Sequence, residues 1–156
     1  MKKLLGTKPA AIDFALLVLR LGLGAMFILH GEGKMFGGPD VWEKVGGSMK
    51  NLGIDYAPVF WGFMAAFAEF GGGILLILGF LTRPACFLML FTMTVAAIHH
   101  LHPDEGLKAT INELIDPKTT LDKIMEASHA IEAGCTFFAL MLIGAGKFSL
   151  DKKFFG

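Results

Sequence analysis

Several features by which soluble enzymes and nucleic-acid binders are recognised are missing from this chain. Fourteen Lys and Arg balance fourteen Asp and Glu, so there is no basic surplus or stripe to meet phosphates, and nucleic acid is excluded as a partner. Two cysteines cannot build a disulfide framework, and without a Cys-x-x-Cys pair they give no zinc or thioredoxin-type signal. No flavin, haem or nicotinamide motif occurs. Internal repeats, low-complexity tracts and domain boundaries are absent too, and 156 residues suit a single domain over 1–156.

What is abundant is apolar. Hydrophobic residues make up 54% of the chain, phenylalanine alone accounts for 15 positions, and the mean hydropathy is +0.59. A chain this apolar is excluded from the disordered class and resembles membrane proteins. Yet 18% of the residues are charged, which is high for a chain hidden in lipid, so most charges must lie outside the spans.

Four runs are long and apolar enough to test as membrane spans. They cover about 12–36, interrupted by Arg20; 57–81, with Glu69 near its middle; 84–101, closing on His99-His100-Leu101-His102; and 120–145, with Glu132 inside and a Thr119 or Thr120 N-cap. Only Leu81-Thr82-Arg83-Pro84 separates the second and third runs, which makes them antiparallel neighbours with proline in a first helical turn. The connections 37–56 and 102–118 read as exposed loops with short interfacial helices around 41–52 and 107–115. The expected fold is all-α: an integral membrane four-helix bundle in antiparallel up-down order.

Lys2, Lys3, Lys8, Arg83, Lys147, Lys152 and Lys153 fall in short segments on one side. Lys44, Lys50, Lys108, Lys118 and Lys123 are diluted in longer acidic loops on the other. That bias predicts a multi-pass inner-membrane protein with both termini cytoplasmic. The opening Met-Lys-Lys-Leu-Leu resembles the start of a signal peptide, but Asp13 and Arg20 argue against one.

Ionisable groups within the spans cost roughly 2.5–3.5 kcal/mol each on insertion scales, so each needs a partner, water or a neutral form. At 100° per residue, Arg20, Gly24, Phe27, His30, Gly31 and Lys34 share one broad face of the first span. Glu69 lies on a stripe with Gly62, Ala65, Ala66, Gly72 and Gly73, small residues that let helices approach closely. Counted from the ends of the apolar runs, Glu69 and Arg20 differ in depth by roughly 6 Å. An arginine spans that gap, so a buried Arg20–Glu69 pair is expected. Lys34 either snorkels to the interface or joins the interior.

Glu132 lies about as deep as Glu69, on a face with His129 and Cys135, and His99 and His100 end the third span near His30. Cys86 and Cys135 differ in depth by roughly 12 Å and do not bond. One half of the bundle therefore gathers His30, Lys34, Glu69, His99 or His100, Glu132 and His129. Three readings compete. A metal site would use the histidines and carboxylates, although their spacing is nonspecific, and no metal ligands are assigned. A quinone or other small-molecule pocket would use a His or Lys donor, a proton-carrying carboxylate, and walls from Phe27, Phe63, Phe67 and Met93. In the third reading the polar residues only hold four helices in register.

A family resemblance is carried by Arg20-Leu21-x-Leu23-Gly24-x-x-Phe27-x-x-His30-Gly31-x-x-Lys34, then Glu69-Phe70-Gly71-Gly72-Gly73 with Leu75-Leu76 and Gly79. Leu81-Thr82-Arg83, Glu132 and Gly144-Ala145-Gly146-Lys147-Phe148-Ser149-Leu150-Asp151 follow in order. The pattern resembles the DoxX family of small membrane proteins over nearly the whole chain. It implies a four-helix inner-membrane bundle. The family is named for subunits of archaeal quinone-linked sulfur oxidation, and other members are labelled oxidoreductases or partners of thiol and oxidative-stress enzymes. Related eukaryotic membrane proteins act in cargo export or receptor assembly.

Together these readings point to a redox-associated membrane subunit that binds a quinone or similar lipophilic molecule. Arg20, His30, Lys34, Glu69, His99, His100 and Glu132 are its ligand-binding or proton-relay residues, with no catalytic residue assigned. Its partners would be the bilayer and a redox partner subunit, or a second copy of the chain. The alternative is a non-enzymatic membrane scaffold or assembly factor that uses its acidic third loop. A small transporter is disfavoured, since four spans without an inverted repeat offer no alternating-access machinery.

Overall fold

Prolines and glycines punctuate the chain, and the apolar runs between them are helices. The computed structural model describes residues 9–101 and 117–156. In chain order these form α1 (Pro9–Met35), α2 (Pro39–Gly46), a 3-10 segment (Gly47–Leu52), α3 (Pro58–Leu78), α4 (Thr82–Leu101), α5 (Pro117–Ile143) and α6 (Leu150–Phe155). Four of them, α1, α3, α4 and α5, are long and apolar enough to cross a membrane. Pro39 and Pro58 open their helices, where a missing N–H costs nothing. Helix α3 closes on Gly79, whose left-handed φ of 61° lets Gly79 and Phe80 donate back to the Leu76 and Leu75 carbonyls. The segment around 41–52 is helical, as α2 followed by the 3-10 segment. The second interfacial helix expected near 107–115, His102 and the residues before Pro9 lie outside the described residues.

Helix α1 packs on α3, α3 on α4, and α4 on α5. Aromatic rings join α5 to α1: Phe27 meets Phe137 edge-on at 4.8 Å, and His30 stacks on His129 at 5.5 Å. The core is made of Leu16, Phe27, Leu76, Met89, Phe137 and Leu140 with their neighbours. Outward, Phe14, Leu29, Phe87, Phe138 and Leu142 stand exposed, so these helices are apolar on their outer as well as their inner faces, as a hydrocarbon surrounding permits.

Glycine sets the register of α1 on α3. Gly24 lies against Gly73 and Ile77, and Gly31 against the backbone of Phe70 and Glu69, so closely that a Cβ at either glycine would meet that backbone. In the same way Gly46 of α2 sits on Pro58 and Gly62 of α3. This register overturns the expected Arg20–Glu69 pair. Arg20 lies opposite Leu76, seven residues from Glu69, or about 10 Å along the helix, while Lys34, three residues beyond Gly31, comes level with Glu69.

Arg20 is nevertheless fully buried. Its guanidinium donates to the Leu76 carbonyl at 3.4 Å and to the Phe148 carbonyl, in a cradle that a Cβ on Gly79 would fill. The segment after α5 wraps this end of the bundle. Asp151 accepts from the N–H groups of Leu81 (2.7 Å) and Thr82 (2.9 Å), capping the start of α4 beside the left-handed Leu81. Ser149 caps α6 by accepting from Lys152, and Lys147 reaches Asp13 through its N–H (3.0 Å) and ammonium (3.5 Å). The Gly144 to Asp151 motif is therefore a clasp over the α3–α4 turn.

Candidate functional site

The other buried charge, Glu69, lies at the middle of α3, where the backbone of Glu69 and Phe70 meets Gly31 of α1. Its side chain is 3% exposed, and the Lys34 ammonium sits 2.7 Å from both carboxylate oxygens. Lys34 is held from behind: its carbonyl accepts from the Trp42 indole at 2.8 Å, which fixes the end of α1 against α2. Lys34 thus turns inward and does not snorkel.

The pair lies between two cavities. One, about 400 Å³, is lined chiefly by apolar side chains of α3 and α4 with the α2 and 3-10 segments, including Met49, Phe60, Trp61, Met64 and Phe91. Its size and apolar lining with few polar groups are those of a small-molecule site. The other, about 170 Å³, is lined by Phe27, His30, Met93, His100, Glu126 and His129 with the pair itself. Lys34 and Glu69 line both cavities. The aromatic walls differ from those expected, since Phe27 and Met93 border the smaller cavity and Phe63 and Phe67 stack on each other elsewhere.

The other expected site residues divide. His30 and His100 join Lys34 and Glu69 at the smaller cavity. His99 instead faces the 3-10 segment, its Nδ1 3.2 Å from the Asn51 amide nitrogen. Arg20 belongs to the clasp at the far end of α3. Glu132 is exposed and lines neither cavity. The inward face of α5 runs through Ala127, Ala130, Ala133, Phe137 and Leu140, and Glu132, two residues past Ala130, is turned about 200° from it. Glu126, one turn before Ala130, takes the place expected of Glu132 at the cavity. The three- and four-residue spacing of Ala127, Ala130 and Ala133 is the sequence signal that would have found it. Cys86 is buried in the core and Cys135 is exposed, both unbonded thiols. Among the described residues, no three His, Cys, Asp or Glu side chains are grouped as metal ligands.

Residues 15–102 match the DoxX family. The chain belongs to the DoxX family. It is 30% identical over 141 residues to the Inner membrane protein YqjF of Escherichia coli (strain K12), a match covering 90% of this chain and 92% of that protein. No solved structure matches. The matched DoxX region contains Arg20, His30, Lys34, Glu69, His99 and His100, whereas Glu126 and His129 of α5 lie beyond it. With four apolar helices and this relative, the chain is a multi-pass inner-membrane DoxX protein whose exposed apolar side chains contact the bilayer.

Proposed function

We propose that this DoxX protein is a redox-associated membrane subunit that holds a quinone or comparable lipophilic molecule in the larger cavity. The observation that carries the reading is the Lys34–Glu69 pair exposed to an otherwise apolar space of about 400 Å³. A bound quinone would supply two-electron, two-proton redox chemistry. The chain would supply the rest. Phe60, Trp61 and Phe91 would enclose the ring and exclude water, and the Lys34 ammonium would donate to a carbonyl oxygen. Glu69 would hold Lys34 in place. His30, His100, His129 and Glu126 would be the proton-exchanging groups behind it. Electron transfer requires a partner subunit, and in this reading the spans alternate up and down with both termini cytoplasmic.

The test is extraction in mild detergent, analysis of the co-purifying small molecules, and titration with decyl-ubiquinone followed by tryptophan fluorescence. Trp61 lines the cavity, so saturable quenching that Lys34→Met abolishes supports the reading. No co-purified quinone and no saturable quenching would sink it. Recovery of a stoichiometric crosslinked partner under those conditions would favour the scaffold instead.

A further inference from the structure

The two cavities meet at one ion pair, and their linings differ in what they can exchange with it. On the large side the lining offers hydroxyls, from Ser48 and Thr92, but among the described residues no titratable group besides Lys34 and Glu69. On the small side α1 contributes His30, α4 contributes His100, and α5 contributes Glu126 and His129. Trp42 of α2 binds the Lys34 carbonyl, and His99 of α4 meets Asn51 of the 3-10 segment and lines neither cavity. A molecule can enter on one side of the pair, while proton carriers lie on the other.

We propose that ligand binding in the large cavity is coupled to uptake of one proton by Glu69, delivered through the cavity lined by His30, His100, His129 and Glu126. The inference rests on the small-molecule reading above. A lipophilic molecule with an acceptor oxygen finds the Lys34 ammonium as its charged donor, but that ammonium is engaged with both Glu69 oxygens. Turning Lys34 toward the ligand removes the partner of a carboxylate that is 3% exposed. An enclosed, unpaired carboxylate is costly, and its neutral form is the one that such a site holds. The step balances. The Lys34 ammonium paired with the Glu69 carboxylate, plus ligand and one proton, becomes ligand bound to the Lys34 ammonium beside the Glu69 carboxylic acid, with one positive charge on each side. No bond of the ligand is made or broken and no electron moves.

The experiment uses the full chain in dodecyl maltoside with decyl-ubiquinone as probe. Affinity comes from tryptophan quenching, and proton uptake comes from calorimetry in two buffers of different ionisation enthalpy. The expected result is about one proton taken up per ligand and a Kd that weakens as the pH rises. Glu69→Gln, if folded, binds with no proton uptake and a pH-independent Kd. In stopped flow, Glu126→Gln combined with His129→Gln delays the proton signal about tenfold behind the quench. Saturable binding by the unaltered chain without proton uptake overturns the coupling and leaves the binding reading intact. Absence of saturable binding overturns the reading and the coupling together. An undelayed proton signal in the double variant overturns delivery through the histidine cavity.

Discussion

Arg20 and Lys34 stand fourteen residues apart on the same helix and meet the same difficulty, a cation in apolar surroundings, with opposite solutions. At one end Arg20 is fully enclosed, with its two terminal nitrogens donating to backbone carbonyls from two other segments, in a cradle shaped by Gly79. At the other, Lys34 is 35% exposed, bonded to a single carboxylate, and bordered by space on both sides. A guanidinium held by carbonyls of two segments is fixed in place. An ammonium held by one carboxylate beside a cavity can exchange that partner. The contrast separates a charge that organises the fold from a charge available for chemistry, a distinction that burial or charge alone does not draw.

Four experiments challenge that division, in descending order of effect. Arg20→Met strips the Phe148 carbonyl of its side-chain donor, leaves the Leu76 carbonyl with only the Gly79 N–H and empties the Gly79 cradle, so a loss of about 3 kcal/mol is expected. It is measured as a large fall in unfolding temperature in detergent, and a change confined to ligand affinity would move Arg20 into the site. Lys34→Met leaves Glu69 enclosed without its partner and costs about 2 kcal/mol, discounted for the partial exposure of the lysine. Pairing it with Glu69→Gln recovers most of that stability while decyl-ubiquinone quenching stays absent. Failure of the double variant to recover would mean that this pair is also part of the scaffold.

Gly79→Ala tests the cradle from the other side. An alanine at φ 61° with its Cβ against the Arg20 guanidinium costs about 1–2 kcal/mol, again read as an unfolding temperature, with ligand affinity unchanged. The smallest effect belongs to Glu132→Gln, within about 0.5 kcal/mol because the side chain is exposed and lines neither cavity. Its quinone titration should overlay that of the unaltered chain, and a weakened one would show that the inward face of α5 has been assigned wrongly.

Hydropathy located the four spans, because an unbroken apolar run of that length has few other uses. The stripe of Gly62, Ala66, Gly72 and Gly73 identified the face on which Glu69 is buried. What the sequence left open was register. Counting from the ends of the apolar runs ignores how far one helix slides past the other, and the position of α1 on α3 is fixed by the contacts of Gly24 and Gly31 with backbone. Lys34 and not Arg20 therefore meets Glu69. Glu132 is misplaced, and Glu126 missed, for a related reason. Charge drew the helix face, whereas Ala127, Ala130, Ala133 and Phe137 determine it by fitting against α4 and Phe27.

The clasp also orders events in time. The first residues of α4 are capped by Asp151 and the Arg20 guanidinium is closed by Phe148, and both residues follow all four spans in the chain. During synthesis α1, α3 and α4 emerge and enter the membrane with these groups still unmet, and the α3–α4 turn is completed only when the segment beyond α5 arrives. A chain cut short before Phe148 would carry every span yet leave Arg20 and the start of α4 without these contacts.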